Sequence, residues 1–276
     1  MRVVRWHVGR RLGQHFLRAS AVEQLTRLIA PGADETFLEI GPGRGALTFA
    51  LAERAARVVA VELDERLASE LRSRVPPRVE VISGDALKVD LAALAPPGAR
   101  LAGNLPYFAS SPLLRRALGL RGHVRDAHLM VQKEVAERVA AGPGSKAYGV
   151  LSVFFAVWSD VDVPLEFPPG AFSPPPRVRS AVLRVRYRAT PRAEVPDWSA
   201  FEQLVLASFA RRRRTLENNL EDSYPDLKEH LRLLHIEGSR RAETLCVEEF
   251  ANLAQVLGRP TRLAGESGRS ARSRNV

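Results

Sequence analysis

An α/β protein with a parallel sheet and a smaller all-α C-terminal domain is what this 276-residue sequence predicts. Three observations carry that expectation. From residue 36 to about 132, short apolar runs alternate with stretches of helical periodicity, the pattern of βαβ units whose sheet is covered on both faces. Two further runs with strand-like alternation follow within 160–187. From Ser199 to Leu257 the apolar spacing is helical throughout.

Each element follows from its residues. "TFLEI" (36–40) is a short apolar run ending at a glycine, and "ALTFALAERA" (46–55) has helical spacing. "RVVAVELD" (57–64) is β-branched and ends in acids, "ERLASELRSRV" (65–75) is helical, and "VEVISGDAL" (79–87) is a strand running into a loop. "RLAGNLPY" (100–107) is a strand that meets a proline turn. "SPLLRRALGL" (111–120) reads as a helix with Ser110 or Ser111 as N-cap and Pro112 in its first turn, where an orphan N–H is no loss. "AHLMVQ" (127–132) is a strand and "KEVAERVAA" (133–141) a helix. "VLSVFFAVW" (150–158) fits strand or helix equally. "DVDVPLEF" (160–167) and "SAVLRVRY" (180–187) read as two antiparallel strands finishing the sheet, joined by the proline-rich "PPGAFSPPPRV". "ATPRAEVPDW" (189–198) is a linker, and "FEQLVLASFARRRRTLENNL", "DLKEHLRLL", "SRRAETL" and "VEEFANLAQVL" are helical. The expected domains are residues 1–188, opening with a basic segment at 1–18, and 199–258, with a disordered basic tail at 259–276.

Composition narrows the function. The hydrophobic share of 45% supports a packed core, and no apolar run approaches the length of a membrane span. The N-terminus is basic but lacks the apolar stretch of a signal peptide, so a cytoplasmic protein with no membrane partner is expected. Cys246, the single cysteine, excludes an internal disulfide and a multi-cysteine zinc site. The net charge of +10 is concentrated at the ends: residues 1–18 carry five arginines and no acid, and residues 259–276 five arginines and one acid. With the internal "RRRR" at 211–214, this distribution suits a polyanion such as nucleic acid.

The chemistry sits at the strand ends. "EIGPGRG" (39–45) places glycines at 41, 43 and 45 between a strand and a helix, where the backbone can turn sharply and approach a ligand. The spacing is not GxGxxG, and Arg44 lies inside the loop, so a loop around a nucleoside fits better than a pyrophosphate cradle. Glu62 follows at the next strand end, where a carboxylate can accept hydrogen bonds from ribose hydroxyls. Asp85 follows at the one after, where a carboxylate can accept a hydrogen bond from an adenine amine. Each acid alone is ordinary; successive strand ends carrying them in phase are not.

Together these features resemble the class I S-adenosylmethionine methyltransferases, which implies a Rossmann-like seven-stranded sheet with its last strand antiparallel. "NLPY" (104–107) is similar to the (N/D/S)-x-P-(Y/F) signature of enzymes that methylate exocyclic amines. The adenine amine is a poor nucleophile because its lone pair is delocalised. The Asn104 side-chain oxygen and the Leu105 carbonyl would accept its hydrogens and aim the lone pair; Pro106 fixes the turn, and Tyr107 stacks on an extruded base.

Four further stretches, "RLGQHFL" (11–17), "MVQKEVAERVAAGPGSKAYGVLSV" (130–153), "FSPPPRVRSAVLRV" (172–185) and "FARRRRTLENNL" (209–220), resemble the ribosomal RNA adenine dimethyltransferases, nearest the bacterial small-subunit type, over roughly residues 10–258. The resemblance implies dimethylation of two adjacent adenosines in the 3′-terminal hairpin loop of 16S ribosomal RNA, on an assembling small subunit, by a monomer using S-adenosylmethionine and no metal. It assigns cofactor contacts to His15, Leu17, Gly41, Gly43, Glu62, Asp85 and Asn104. It places catalysis on Asn104, Leu105, Pro106 and Tyr107, and target-base stacking on Tyr107 and Phe172. Arg211, Arg212, Arg213 and Arg214, read here as part of a helix, become RNA phosphate contacts. Two departures are local: "FASS" (108–111) where the family has "NIST", and Arg179 where it has an acid. The rival readings are the Erm-type methylase of large-subunit RNA, a non-catalytic RNA-binding assembly factor, and a DNA-modifying enzyme. "FSPPPRV" and "FARRRRTLENNL" speak against the first, the intact Gly41, Glu62, Asp85 and Asn104 against the second, and the lack of any stretch resembling a DNA target-recognition domain against the third.

Overall fold

The computed structural model describes residues 14–261. The terminal arginines at 2, 5, 10 and 11, and those from 262 onward, lie outside the described residues.

The chain begins with β1 (Phe16–Leu17), α1 (Ala19–Ile29), β2 (Thr36–Ile40), α2 (Ala46–Ala52), β3 (Arg57–Glu62), α3 (Glu65–Arg72) and β4 (Val79–Ser83). It continues through β5 (Ala99–Asn104), α4 (Ser110–Gly119), β6 (Val124–Gln132), α5 (Lys133–Ala140) and α6 (Val150–Trp158). β7 (Ser159–Phe167), β8 (Phe172–Ser173) and β9 (Ser180–Tyr187) complete the strands, and α7 (Trp198–Ser208), α8 (Leu216–Leu220), α9 (Leu227–Leu233) and α10 (Val247–Leu257) end the chain.

The expected seven-stranded sheet is present, in the order β4-β3-β2-β5-β6-β9-β7. β2 pairs in parallel with β3 and β5, β3 with β4, and β5 with β6; β9 runs antiparallel to β6. Ion pairs join Arg184 of β9 to Asp162 of β7 and Arg179, just before β9, to Glu166 of β7, in opposite chain directions, as antiparallel neighbours do. From β2 the chain proceeds outward to β3 and β4 and then returns to β5 on β2's other side. The ends of β2 and β5 therefore flank a switch in strand order, where α/β sheets open a ligand crevice. A two-residue ladder was not expected: β1 pairs with β8, Leu17 opposite Phe172, and ties together two motifs 155 residues apart.

The described residues form two compact units, 14–136 with 162–187, and 137–161 with 188–261. The first is built on the sheet, with Leu25, Phe37, Leu51, Val58, Leu71 and Met130 in its core. The second differs from the expected boundary at 188, because residues 137–161 belong to it. α6 supplies the reason: the Phe154 ring packs 5.5 Å from Trp198 and 6.3 Å from Phe201 of α7, and Phe209 meets Tyr148 and Phe250. This packing also settles 150–158 as a helix.

Three local expectations are corrected. Ser110 is the first residue of α4 rather than its cap, and its hydroxyl donates to the Pro106 carbonyl (3.2 Å). "SRRAETL" holds only a 3-10 turn at Ala242–Thr244. Arg211–Arg214 are not helical: they form the exposed loop between α7 and α8. The Asn219 amide donates to the carbonyls of Ser208 (2.8 Å) and Arg211 (3.2 Å), and Thr215 caps α8. These bonds satisfy the end of one helix and start another. Among the described residues no helix is long and apolar enough to cross a membrane.

Candidate active site

The glycine loop is shaped by backbone that other residues adopt with strain. Gly41, Gly43 and Gly45 have φ of 71°, 57° and 85°, in the left-handed region. At Gly45 a Cβ would also lie 2.3 Å from the Leu71 side chain. The loop is held by Glu62 at the end of β3. The Gly43 N–H donates to Glu62 Oε2 (2.9 Å) and the Asp64 N–H to Oε1 (2.9 Å). Each oxygen keeps a further lone pair for a ligand hydroxyl. Burial, reinforced by the Asp64 charge, pushes the Glu62 carboxyl above its usual range, against the pull of its backbone donors.

Asp85 stands beside Glu62 because the Gly84 N–H bonds the Glu62 carbonyl (2.8 Å). Its Oδ1 accepts from the Leu87 N–H (3.0 Å), and Lys88 lies 3.6 Å from Oδ2. Behind the loop, Glu39 and Thr48 are almost fully buried, and Glu39 Oε2 and Thr48 Oγ1 have no hydrogen-bond partner among the described residues. Burial raises the Glu39 pKa to about 7; the neighbouring Thr48 hydroxyl opposes it, though too poorly placed for a formed hydrogen bond, and the charge of Glu62 adds to it.

β5 brings the second half of the site against this loop. A Cβ on Gly103 would sit 2.5 Å from the Ile40 carbonyl oxygen, so its absence lets β5 close on β2. Gly41 then lies near the Asn104 carbonyl and Pro106. The Asn104 Nδ2 donates to the His15 carbonyl (2.9 Å), which orients the amide and leaves Oδ1 as its acceptor end. His15 Nδ1–H in turn donates to the Pro174 carbonyl (2.8 Å), and its ring lies 5.5 Å from that of Tyr107. Leu105 is buried and its N–H bonds the Met130 carbonyl (3.0 Å). Tyr107 opens the 3-10 turn Tyr107–Ala109, and its hydroxyl shares a 2.5 Å hydrogen bond with that of buried Ser180. Burial raises the Tyr107 pKa.

The structure thus brings Gly41, Gly43 and Glu62 into one network and His15, Asn104 and Tyr107 into another. Phe172 sits differently from expectation. Phe172 is completely buried and packs in the sheet unit's core with Leu17 against it, so it presents no open ring face to a base here. Arg211–Arg214 lie in the second compact unit. Arg212 donates to the Lys146 carbonyl and stands 3.8 Å from Glu243. Arg179 pairs with Glu166, which also binds Lys133, so Glu166 supplies the carboxylate that position 179 lacks.

Sequence reasoning missed Phe16, whose ring lies 3.0 Å from where a Gly43 Cβ would be and carries the Arg44 guanidinium 4.5 Å from its centroid. Its position between His15 and Leu17 was the available signal. Ser180 was missed as well, and nothing local marks it. Chemically, the crevice offers two carboxylates, a close backbone approach and an oriented amide oxygen beside an aromatic ring. That set suits a nucleoside on the β2–β3 side and an amine on the β5 side. Among the described residues no group of three His, Cys, Asp or Glu is placed to hold a metal ion.

Comparison with known proteins agrees. The family model "Ribosomal RNA adenine dimethylase" matches residues 7–258. The chain is 45% identical over 258 residues to "Ribosomal RNA small subunit methyltransferase A" of Geobacter sulfurreducens, covering 89% of this chain and 94% of that protein. It is 42% identical over 275 residues to the protein of the same name from Cupriavidus necator, covering 95% and 97%. Among solved structures, a dimethyladenosine transferase from Plasmodium falciparum superposes with a TM-score of 0.72 at 25% identity, over 87% of this chain and 96% of that one. The 23S rRNA methyltransferase ErmE gives 0.66 at 26%, over 88% and 99%. The chain belongs to the ribosomal RNA adenine dimethylase family and is a methyltransferase that acts on ribosomal RNA.

Proposed function

We propose that this chain dimethylates the exocyclic amines of two adjacent adenosines in the 3′-terminal hairpin loop of small-subunit ribosomal RNA. It works as a cytoplasmic monomer on an assembling subunit, with S-adenosylmethionine as methyl donor. The observation that carries the reading is the Asn104 amide, whose nitrogen is bound to the His15 carbonyl, which leaves its oxygen as the acceptor end.

The residues present fit the donor. Glu62, held by two backbone N–H groups, would take the ribose hydroxyls. Asp85 would take the adenine amine, and the left-handed backbone at Gly41, Gly43 and Gly45 lets the loop turn close to the donor. His15 and Leu17 bound the same region. When bound, the donor supplies a methyl group on an already activated sulfonium. The chain's own part is alignment. Asn104 Oδ1 and the Leu105 carbonyl accept the two hydrogens of the target amine, which turns its lone pair out of the ring. Tyr107, tethered to Ser180, holds the base by its face. Arg211, Arg213 and Arg214 bind phosphates.

The Erm-type alternative takes support from the TM-score with ErmE. The identity to small-subunit enzymes over nearly the whole chain favours the first reading. The test is incubation with methyl-labelled S-adenosylmethionine and under-methylated small subunits, with large subunits in parallel. Label is expected in dimethyladenosine of the small-subunit RNA alone. Asn104→Ala should lose transfer by at least about a hundredfold, the scale of losing one oriented acceptor, while donor binding measured by calorimetry survives. Label in the large subunit, or full activity of Asn104→Ala, would overturn the assignment or its mechanism respectively.

A further inference from the structure

We propose that Ser180 is a positioning residue for the second of the two methyl transfers to one amine: with the His15 ring it braces Tyr107, and without it the enzyme stalls at the monomethyl stage. The inference deepens the function proposed above and rests on its twofold methylation.

Stacking on a base needs the ring of Tyr107 and not its hydroxyl. The hydroxyl is given to Ser180, which is fully buried, in a 2.5 Å hydrogen bond, at the short end of the range for O–H···O. A tyrosine oxygen lies on the long axis of its ring. The bond therefore fixes where that axis ends but lets the ring turn about it. His15 limits the turn: its ring lies 5.5 Å from that of Tyr107, at 33° to it. Both braces have firm footings. Ser180 opens β9 opposite Gln132 of β6, and the carbonyl just before it, of Arg179, accepts from the Lys133 N–H (3.0 Å). His15 is held at its ring by the Pro174 carbonyl (2.8 Å) and at its own carbonyl by the Asn104 amide (2.9 Å). The acceptor Asn104 and the clamp Tyr107 thus share one frame.

Each transfer forms a nitrogen–methyl bond as the carbon–sulfur bond breaks. The sulfur keeps that bond's electrons as a neutral thioether, and the nitrogen sheds one proton to solvent. In the first round the amine offers two hydrogens, one for Asn104 Oδ1 and one for the Leu105 carbonyl. In the second it offers one, and a methyl group stands in place of the other. With one oriented hydrogen bond gone, alignment of the lone pair rests more heavily on the grip on the base. The brace on Tyr107 therefore matters most once the first methyl is in place.

The test follows monomethyl- and dimethyladenosine over time on under-methylated small subunits with methyl-labelled S-adenosylmethionine. The chains compared are the wild type, Ser180→Ala, Tyr107→Phe and the double variant. Ser180→Ala is expected to slow the second transfer about fivefold, the scale of one net hydrogen bond, with the first within about twofold, so that monomethyladenosine accumulates. Its donor affinity, measured by calorimetry, should match the wild type. Tyr107→Phe removes the same bond from the other side, so in that background Ser180→Ala should slow the second transfer no further. Dimethyladenosine formed by Ser180→Ala at the wild-type rate would overturn the brace. So would equal slowing of both transfers, weakened donor binding, or losses that multiply in the double variant; all four results leave the function above standing. A wild type that transfers no label would overturn that function, and this inference with it.

Discussion

Gly103 shows how tightly the two halves of the site are joined. A methyl group there would meet the Ile40 carbonyl oxygen at 2.5 Å, and backbone in the middle of a sheet has nowhere to go. Gly103→Ala is expected to destabilise the fold by about 1–3 kcal/mol and lower Tm by several degrees. Its activity should fall further than its stability, because spreading β2 from β5 separates the Gly41 loop from Asn104. Gly119→Ala, where the new Cβ meets nothing within 4 Å, is the control: its Tm should be unchanged or slightly raised. Equal Tm shifts in the two variants would rule out the close approach as the cause. The residues that chemistry constrains locally were legible in the sequence: the turn glycines, Glu62 and Asp85 at strand ends, Asn104 before a proline. Those defined by a distant partner were not. Ser180 gains its role from Tyr107, 73 residues away, and Phe16, though inside a recognised motif, from the Gly43–Arg44 loop it packs on. Phe172 stood in a recognisable motif, but its burial is a fact of packing that spacing does not reveal.

The first strands and helices were legible because their apolar runs end in a glycine, a proline or an acid. The break after α7 was not. Apolar residues at Leu204, Val205, Phe209, Leu216 and Leu220 keep nearly helical spacing across it, while the Asn219 amide and the Thr215 cap that stop one helix and start the next act through space. β6 yields a prediction of its own. His128 is buried in it with Nδ1 unpartnered among the described residues, and Asp126 is no nearer than 3.8 Å. Burial is the main cause of its pKa falling to about 4; Arg100 and Arg184 add to it, while Asp126 and Asp162 oppose it. The folded chain thus resists a proton that the unfolded chain accepts at about 6.5. This neutral histidine contributes stability that is complete above pH 6.5 and lost as pH falls through 4. Glu39, raised to about 7, has the opposite slope: its contribution is complete below the ordinary glutamate range and lost as pH rises through 7. The difference between wild type and His128→Gln therefore isolates the histidine. Between pH 6.5 and 4, wild type should lose up to about 1.4 kcal/mol per pH unit more than the variant, measured by denaturant unfolding at each pH. Parallel curves would exclude His128 as the source.

Across the whole molecule, chemistry and cationic charge occupy different compact units. The crevice is built by residues 14–136 and 162–187, and the arginine loop belongs to the other unit. Between residues 19 and 258 the net charge is only +1, so the loop is a local concentration against a nearly neutral background. Its removal should affect binding and leave the chemical step intact. Arg212 already serves Lys146 and Glu243, which leaves Arg211, Arg213 and Arg214 as the proposed phosphate contacts. Three contacts to single-stranded RNA correspond to a salt slope of about 2 in log K against log salt, at roughly 0.7 each. Replacing these three by Gln should lower the slope by about that amount and weaken subunit binding most at low salt, the curves converging as salt rises. At saturating subunit, kcat should hold, since nothing in the Asn104 network has changed. A fall in kcat with an unaltered slope would mean that the loop shapes the crevice rather than meeting RNA, and the division of labour between the units would have to be abandoned.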